Sequence, residues 1–598
     1  MSKPSEPLEM AAGQARAADL ALRLAARARV ALRRLRAYLM TPQGRRALGW
    51  TFVLLSVVLL IVFAGQRALV RYQSYSADAF DLGNMNQAVW NTLHGHPFRF
   101  TNRGLDWLGP PTRLGIHVEP VLLLIAPLYL LHAGPETLIA LQTVALALGA
   151  IPLFLLGLRH LPGHPLVCAA LACAYLLTPA LLGAMFWDFH PVVLATPLLV
   201  LAVWALDARH YRWFLVAAVL AALTKEDVAL SLIPLGVYLA LWRGKPRFGA
   251  AVALGALGWS ALCFLVILPH FNGGASGGNN FWYRYAWAGS TPRAALVNVL
   301  THPWLPVAFV LGSAARRGYL ALVLRMAGGF GLLAPALLLC ALPELAVNLF
   351  STHAEQYSGF FQYNAMLGAY LPAAAVYGVA MLYATRREAF VRGERVDAQA
   401  ALVHVPRWTR RVGARWRAAL ARIPLPTRWV GPVVVAWLLL TTIWNIAALS
   451  PTLPAFWTAG ARPVRYQAQI DALLARIPPS ATVAATDTLD PHLSSRYTIY
   501  LLPDPQSWSA QYIAFDIPHA IAQSRDADQR IFDTMLASGH YQELGAAGSV
   551  VVLRRTGAPL AVPTATRTPG TGAPLTVTGG RRYPAAAAQD VSGHATSD

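Results

Sequence analysis

Charged residues are scarce in this sequence, and acidic residues are scarcer than basic ones. Only 13% of the 598 residues are charged, whereas 56% are hydrophobic. A soluble protein of this length needs a more polar surface, so the composition excludes that class and places most of the chain in lipid. Cysteine is also rare. The four cysteines, Cys168, Cys173, Cys263 and Cys340, lie in apolar runs, which indicates packing roles and no disulfide framework.

Long apolar runs take the place of the missing charges. Runs such as 48–63, 137–158, 250–268 and 433–448 approach or reach the roughly 17 to 25 residues that a membrane-spanning helix needs. They do not alternate apolar and polar residues, as the strands of a membrane barrel do. The sequence therefore predicts an all-α bundle that crosses the membrane many times.

The basic residues are unevenly distributed. There are 49 Lys and Arg against 28 Asp and Glu, and the excess is concentrated in residues 1–47 and 386–428. Each segment adjoins an apolar run, so the excess indicates cytoplasmic segments near membrane lipid, and no nucleic-acid partner is expected. Apolar residues alternate with Arg at helical spacing over residues 14–40, which is typical of an amphipathic helix on a membrane surface.

Basic clusters tend to stay in the cytoplasm, so they predict a topology. The clusters are 1–47, 159–164, 207–212, 243–247, 316–325 and 386–428. Two crossings between successive clusters give about eleven spans, near 48–66, 136–158, 166–186, 191–206, 212–223, 227–242, 248–269, 297–313, 327–349, 364–384 and 429–449. The N-terminus then lies in the cytoplasm. A helix at 120–132 must stay at the surface or half-inserted, because it is too short to cross.

The chain divides into four parts on this basis. A transmembrane domain at 48–450 follows the basic segment 1–47, and its first extracytoplasmic loop is 67–135. Strands predicted at 481–485, 498–502, 512–516 and 549–553, with helices at 466–477 and 530–537, indicate a small extracytoplasmic α/β domain at 451–556. Pro, Thr, Ala and Gly dominate 557–598, which is typical of a disordered tail.

Polar residues gather in the turns that this topology places outside. A charged group at membrane depth is costly, and its usual explanation is function. The candidates for a site are Asp78, Asp81, Gln87, His117, Glu119, Asp188, His190, Lys225, Glu226, Asp227, His353 and Tyr357. The topology argument is independent of these residue types, yet it brings them all to one side.

Several of these residues have a purely structural alternative. Asp81 could cap a helix that begins near Leu82. Residues 225–227 could form a hydrated interfacial turn with an internal ion pair. His190 stands before a proline and could simply precede the first turn of a helix.

Four motifs in order resemble one protein family. They are Phe-Asp-Leu-Gly-Asn-Met-Asn-Gln-Ala-Val-Trp at 80–90, His-Val-Glu-Pro at 117–120, Phe-His-Pro at 189–191 and Lys-Glu-Asp at 225–227. Over roughly residues 50–550 the chain resembles the bacterial and archaeal membrane proteins of domain-of-unknown-function family 2079. That family is similar to the GT-C glycosyltransferases. The resemblance implies a GT-C-like bundle and a sugar carried on a polyprenyl phosphate, transferred on the extracytoplasmic face.

The resemblance also implies roles for the loop carboxylates. Asp81 matches the acidic residue of the first external loop in GT-C enzymes, and Asp78 is the second candidate. A carboxylate there would accept the proton of the acceptor hydroxyl. The spacing Asp78-x-x-Asp81 is not the metal-binding Asp-x-Asp, so the sequence assigns no metal ligands and leaves a divalent cation open.

The donor side would need positive charge or hydrogen-bond donors where the departing phosphate gains negative charge. Lys225, His190 and His353 are the candidates, with Glu226 or Asp227 orienting Lys225. His117 and Glu119 would shape the acceptor side. The Gly-rich stretch 273–280 and the aromatic residues at 281–287 fit either a mobile lid or an interfacial aromatic belt.

Two other functions fit parts of the sequence. A transporter or flippase of lipid-linked or small polar substrates would also bury Lys, Glu and Asp among helices, but no repeated halves are visible in this chain. An assembly or sensor protein would use the α/β domain to bind a partner. The sequence leaves the sugar, the acceptor and the oligomeric state open.

Overall fold

The computed structural model describes residues 23, 25–27, 29–103, 110–272, 281–384, 426–449, 466–519, 524–560, 565–566 and 576–577. Four sequence predictions concern segments that lie wholly or mostly outside these residues. They are residues 1–22 of the basic N-terminal segment 1–47, the Gly-rich lid 273–280, the basic loop 386–428 and the tail 557–598. Residues 29–39 of the N-terminal segment are described and helical, and they precede the helices numbered below.

Helices make up most of the described chain. The first eleven are α1 Pro42–Gln73, α2 Asn84–Leu93, α3 Val121–Ile125, α4 Pro135–Leu148, α5 Ala150–His160, α6 Pro165–Leu176, α7 Pro179–Phe186, α8 Ala195–Asp207, α9 Tyr211–Ala222, α10 Val228–Trp242 and α11 Pro246–Leu262. The others are α12 Leu268–Phe271, α13 Pro292–Thr301, α14 Trp304–Leu311, α15 Ala314–Leu324, α16 Pro335–Leu338, α17 Leu342–Phe350, α18 Ala365–Ala384, α19 Thr427–Leu449, α20 Gln467–Leu474, α21 Asp490–Leu493 and α22 Arg525–Ala537.

Five helical stretches are long and apolar enough to cross a membrane, and three bent pairs raise the number to eight if each pair counts once. The five are Pro42–Gln73, Pro135–His160, Pro246–Phe271, Gln362–Ala384 and Arg428–Ala448. The prediction of a helical bundle with several spans is confirmed. Eleven continuous spans are not found among the described residues, because Pro191–Asp207, Tyr211–Ala222 and Val228–Trp242 have only 10 to 17 residues each. The predicted surface helix at 120–132 appears as a short apolar helix, Val121–Leu130.

The predicted span at 297–313 is a bent pair. Helices α13 and α14 meet at 95°, where His302 and Pro303 interrupt the helix. Both arms contact the segment that precedes them: Asn298 donates to the carbonyl of Ala288 at 3.0 Å, and Phe309 stacks on Trp287 with ring centroids 3.9 Å apart. The pair therefore returns to the end of the bundle from which it started, and the prediction of a crossing here is wrong.

The predicted span at 327–349 is also broken. Met326–Leu333 and Pro335–Phe350 meet at 115°. Ala327, Gly328 and Gly329 all have positive φ near the start of the first arm, a conformation that glycine adopts without steric cost and that stops an α-helix. A hydropathy window registers the apolar length of such a segment but not the reversal within it.

The same region corrects one predicted topological assignment. Arg316 donates to the carbonyls of Leu349 at 3.1 Å and Ser351 at 2.7 Å, and its guanidinium lies 3.9 Å from the ring centroid of Phe309. The cluster 316–325 thus lies beside the loop 351–363, and the prediction that puts it at the opposite end is wrong. Helix C-terminal carbonyls and an aromatic face stabilise this cation locally, whereas the positive-inside rule describes a bias in charge counts.

Three other basic clusters meet as the topology requires. Asp207 accepts a hydrogen bond from Arg159 at 2.8 Å and one from the Tyr377 hydroxyl at 3.1 Å, and it lies 3.4 Å from Arg243. Arg159 is the last residue but one of the 26-residue stretch Pro135–His160, which is about 39 Å long at 1.5 Å per residue. Gln142, near the start of that stretch, donates to Trp187 at the other end of the bundle.

The C-terminal part contains a five-stranded sheet with the order β2-β1-β3-β5-β4. Its strands are β1 Val483–Ala485, β2 Ile499–Leu501, β3 Tyr512–Phe515, β4 Tyr541–Ala547 and β5 Val550–Arg555. Strand β1 pairs parallel with β2 and β3, and β5 pairs antiparallel with β3 and β4. Four of these strands agree with the sequence prediction. The prediction missed β4, because a register shift between Glu543 and Gly545 disrupts its alternation of polar and apolar residues.

An aromatic stack joins the sheet domain to the end of α1. His492 lies between Tyr72 and Tyr75, with ring centroids 4.3 Å and 4.0 Å away. Its Nε2 donates to the carbonyl of Tyr72 at 3.0 Å, and the hydroxyl of Tyr75 donates to Asp471. Burial lowers the pKa of His492 to about 4, against a weaker opposing effect of its hydrogen bond to Tyr72. The stack therefore favours the neutral imidazole.

Acidification is expected to weaken this contact. The unfolded chain binds a proton at His492 below its ordinary pKa near 6.5, whereas the folded chain does so only near 4, so stability falls as the pH drops through that window. The loss at pH 5 should be about 1–2 kcal/mol. Thermal unfolding of the wild type between pH 7 and 5 measures it, and His492→Phe should flatten the profile. An equally steep profile in His492→Phe would assign the effect to other groups.

Candidate functional site

Three carboxylates meet where the first loop leaves the bundle. After α1 ends at Gln73, a turn leads to a π-helical segment, Ala79–Gly83, with Asp78 at its N-cap position. Asp78, Asp81 and Asp188 each offer an oxygen, and these oxygens lie within 4.8 Å of one another. The first loop and the turn between α7 and α8 thus form one acidic cluster, as the sequence predicts for residues on the same side.

Arg71 ties this acidic cluster to α1. Its guanidinium forms an ion pair with Asp188 and a second one with Asp78 at 3.3 Å, and it lies 4.4 Å from the Trp187 ring centroid. The backbone N–H of Asp78 donates to Asp188 at 2.8 Å. Since Asp188 is 4% exposed and Asp78 is 31% exposed, Asp188 acts as an internal anchor, and Asp78 is partly buried but the more exposed of the two.

Asp81 has a different set of partners. Trp187 Nε1 donates to Asp81 Oδ2 at 2.8 Å, and His190 Nε2 donates to Oδ1 at 3.1 Å. Burial raises the pKa of Asp81, but the charge of His190 and these hydrogen bonds outweigh burial and lower the pKa to about 2. A carboxylate has about four acceptor positions, so two remain free on a side chain that is 26% exposed.

His190 carries a proton on both ring nitrogens in this arrangement. Its Nδ1 lies 3.0 Å from the carbonyl oxygen of Asp188 and its Nε2 faces the Asp81 carboxylate, and both partners are acceptors only. Burial lowers the pKa of His190, but the Asp81 carboxylate outweighs it and raises the pKa above the ordinary value. His190 is therefore an imidazolium that neutralises Asp81.

The three aspartates form a donor set that suits a hard divalent cation. Asp78, Asp81 and Asp188 would hold it, and it would supply positive charge beside reacting oxygens. Arg71 and His190 already offset two of the three negative charges. The donor set fits a cation, but Arg71 competes for two of the same carboxylates.

Removing Arg71 should therefore strengthen cation binding. Mn²⁺ binding to purified Arg71→Gln is expected to be about tenfold tighter than binding to the wild type, because one positive charge close to the ion is lost. Electron paramagnetic resonance of free Mn²⁺ measures this, with Arg71→Gln/Asp188→Asn as the control that lacks a ligand. Equal Mn²⁺ affinity in all three proteins would show that the aspartates do not form a cation site.

A second charged cluster lies between α9 and α10. Lys225 Nζ pairs with Asp227 at 2.9 Å, and the two side chains are 17% and 22% exposed. Burial lowers the pKa of Lys225, but Asp227 and Glu226 outweigh it and keep the pKa above its ordinary value. Lys225 is thus a fixed ammonium, and two of its three N–H donors remain after the bond to Asp227.

Glu226 joins this second cluster to the first loop. It accepts from the N–H of Val118 at 2.9 Å and lies 2.9 Å from His117 Nδ1. Burial raises the pKa of Glu226, but His117 and Lys225 outweigh it and lower the pKa to about 2. The ring of His117 stacks on Phe281 at 5.4 Å. The sequence prediction that His117 and Lys225 to Asp227 lie on the same side is consistent with these contacts.

Tyr363 is within electrostatic range of both clusters. Its hydroxyl is close enough to the Asp81 carboxylate and to the Lys225 ammonium for both to act on it electrostatically, as do Glu355 and Arg284. His353 lies next to Tyr363. The two rings are T-shaped, with centroids 6.2 Å apart, and His353 Nε2 pairs with Glu355 at 3.0 Å. Asp81 of the acidic cluster and Lys225 of the second cluster therefore both influence Tyr363 electrostatically.

Three predicted site residues have other partners. Glu119 is 3% exposed and pairs with Arg113 at 2.9 Å, and Arg113 also donates to Asn84. Gln87 is fully buried and bonds to Thr101 at 2.7 Å and 2.9 Å. Tyr357 lies 4.6 Å from the Arg316 guanidinium. The structure thus ties Glu119 and Gln87 to the scaffold of the first loop, and it does not bring either to the acidic cluster.

Sequence reasoning missed Arg71, Arg113 and Asp487 as site or scaffold residues. Arg71 lies in the last turn of an apolar helix, where an arginine is usually read as an interfacial anchor. Its signal in the sequence was its position seven residues before Asp78. Asp487 accepts the backbone N–H of Ala79 at 3.0 Å, but it lies far along the chain, in a segment without any motif.

Two solved structures are distantly similar to this chain. ArnT from Cupriavidus metallidurans bound to undecaprenyl phosphate is 16% identical over 83% of this chain and 97% of that one, with a TM-score of 0.43. The Archaeoglobus fulgidus oligosaccharyltransferase in the apo form is 13% identical over 82% of this chain and 74% of that one, with a TM-score of 0.36. No curated protein is similar enough in sequence to count as a relative.

The sequence profile of one family covers most of the chain. The family is described as "Predicted membrane protein (DUF2079)", and its profile matches residues 71–551. The match includes the acidic cluster, the Lys225 cluster and the five-stranded sheet except the last four residues of β5, and it confirms the family resemblance predicted from the four motifs. The chain belongs to the DUF2079 family of predicted membrane proteins.

Proposed function

We propose that this protein is a membrane glycosyltransferase that moves a sugar from a polyprenyl-phosphate donor to an acceptor hydroxyl. The observation that carries the proposal is that two unlike clusters both contact the first loop: carboxylates at Asp78 and Asp81, and a fixed ammonium at Lys225, whose neighbour Glu226 accepts the N–H of Val118. Sugar transfer from a phosphate needs both, because a proton must leave the acceptor while negative charge develops on the departing phosphate.

Asp81 and Asp78 would have different roles toward the acceptor hydroxyl. Asp81 stays ionised, since its pKa is about 2, and its free acceptor positions suit an incoming hydroxyl. A group this acidic binds a proton weakly, so we assign the final proton to Asp78, whose pKa is raised mainly by burial and by Asp188. The hydroxyl oxygen forms the new bond to the anomeric carbon while its proton passes to a carboxylate.

Lys225 would act on the donor side. The bond between the anomeric carbon and the phosphate oxygen breaks, and the electron pair leaves with the phosphate. An ammonium with two free N–H donors stabilises that charge. His190 has both nitrogens bound to acceptors, so we assign it to holding Asp81 and not to contacting the phosphate.

The topology of the proposal follows from the basic segments. Residues 1–47 and 386–428 carry most of the basic excess, which favours a cytoplasmic position for both. The two clusters and the α/β domain at 451–556 would then lie on the extracytoplasmic face, where lipid-linked sugars could enter from the membrane. The acceptor hydroxyl and the identity of the sugar are not specified by these residues.

A reconstituted assay tests the proposal directly. The purified protein in lipid vesicles is supplied with polyprenyl-phosphate sugars labelled in the sugar, together with a mixture of lipid and glycan acceptors. Release of free polyprenyl phosphate with transfer of label to an acceptor is the expected result. Movement of intact lipid-linked sugar between leaflets without release would instead support a flippase, and the transferase proposal would be withdrawn.

A further inference from the structure

The segment that follows β1 lies against the first loop. Strand β1 ends at Ala485, and residues 486–496 then run along α2 and the segment at 101–102. Three side-chain amides of the first loop donate hydrogen bonds to this segment, and we call these contacts the polar seam. Asn102 donates to Asp490 at 2.7 Å, and Asn86 donates to Ser494 at 2.7 Å and to Ser495 at 3.0 Å. Gln87 donates to the carbonyls of Arg496 at 3.3 Å and Tyr497 at 3.2 Å. The sheet domain is thus docked on the loop that carries Asp78 and Asp81.

The seam has no room for a larger side chain at its centre. A Cβ added to Gly83 would collide with the Asp490 carboxylate and approach Asn102 Nδ2 to 3.2 Å. Asp490 itself is fully buried. Close packing of this kind fixes the distance between the domain and the loop, because neither side can move without breaking several hydrogen bonds.

Asp487 reaches from this seam into the acidic cluster. Its Oδ1 accepts the backbone N–H of Ala79 at 3.0 Å, between Asp78 and Asp81 in the chain. Asp487 is 7% exposed. Burial raises the pKa of Asp487 to about 7, and the nearby charges of Asp188 and Asp81 act in the same direction. Two carboxylates thus hold successive backbone N–H groups: Asp188 accepts that of Asp78, and Asp487 accepts that of Ala79.

We propose that the α/β domain is a working part of the site, with Asp487 as a positioning residue whose carboxylate oxygen holds the Ala79 backbone and so orients Asp78 and Asp81. This inference rests on the proposed function for its catalytic consequence. The docking itself does not depend on that function. The geometry calls for an oxygen at this place and not for a charge, because the partner is a neutral N–H.

Two conservative variants separate position from charge. Asp487→Asn keeps an acceptor oxygen at the same reach and removes the charge. Asp487→Glu keeps the charge and displaces the oxygens by one methylene. Positioning predicts that Asn preserves the site and that Glu disturbs it, whereas a role for the charge predicts the reverse.

Hydrogen exchange of the intact protein in lipid nanodiscs provides a readout without activity. In Asp487→Ala and Asp487→Glu the peptide covering residues 76–83 should exchange about tenfold faster than in the wild type, because a backbone N–H loses its partner. In Asp487→Asn the change should stay within about twofold. The matched control is Asp516→Ala, which removes a 5% exposed aspartate after β3 in the same sheet.

The transfer assay supplies the second readout. Asp487→Glu should lower transfer by about tenfold or more, and Asp487→Asn should retain most of it. Unchanged exchange at 76–83 in Asp487→Glu, or equal acceleration in Asp516→Ala, overturns the positioning role. Loss of transfer in Asn but not in Glu overturns it as well. If the wild type shows no transfer at all, the proposed function fails, while the exchange data still decide the docking.

Discussion

Asp81→Asn is expected to lower the rate of sugar transfer by about 10³-fold, while the amount of folded protein in the membrane stays the same. The Asp81 carboxylate is the outward-facing member of a hydrogen-bonded unit with Trp187 and His190. Asparagine has nearly the same shape, but it is neutral and cannot balance the positive charge that develops on the sugar. The loss should appear in kcat more than in KM.

The reason for this large effect is electrostatic. The pKa of Asp81, about 2, shows that its surroundings stabilise a negative charge. The anomeric carbon gains positive character during transfer, so a fixed anion close to it lowers the barrier. In Asp81→Asn the imidazolium of His190 also loses its counter-charge and leaves the site more positive.

A matched control distinguishes this effect from a general loss of acidity. Glu355→Gln removes a carboxylate at the same end of the bundle, where it pairs with His353 and is 52% exposed. Its transfer rate should stay within about threefold of the wild type. Wild-type transfer in Asp81→Asn would remove Asp81 from the mechanism, and equal losses in both variants would indicate a non-specific effect on the loop.

Lys225→Met is expected to weaken binding of polyprenyl phosphate by about 30-fold to 100-fold, which corresponds to one charge-assisted hydrogen bond of roughly 2–3 kcal/mol. Lys225 is one of three lysines in the chain, with Lys3 and Lys245. Methionine keeps the length and the apolar stem of the side chain. Lipid retention in native mass spectrometry, titrated with polyprenyl phosphate, measures the change.

Two further variants define the control for this prediction. Lys245→Met removes a lysine that follows α10 and lies 6.0 Å from the Tyr211 ring centroid, and its lipid affinity should stay within about twofold of the wild type. Lys225→Met/Asp227→Asn removes the carboxylate that the single change leaves unpaired. If the double variant recovers the lipid affinity, Lys225 neutralises Asp227 and does not bind phosphate.

The sequence predicted which residues belong to the site better than it predicted which residues hold them in place. Apolar runs and basic clusters placed the turns at 67–135, 187–191, 224–227, 271–292 and 351–363 on one side, and hydrogen bonds connect the first of them with the second and the third. Motif spacing could not reveal Arg71, because an arginine at the end of an apolar helix is ordinary. It could not reveal Asp487 either, since nothing local marks an aspartate 408 residues from its backbone partner.

The sequence by itself determined the helical bundle, the family and most of the strands, because apolar length and alternation are local properties of the chain. Only the tertiary structure decided that α13 and α14 meet at about a right angle, that Arg316 lies beside Ser351, and that the sheet domain supplies Asp487. Each of these depends on where a segment turns and on which groups satisfy its buried charges and N–H groups. Such pairing involves residues far apart in the chain, and hydropathy and charge counts carry no information about it.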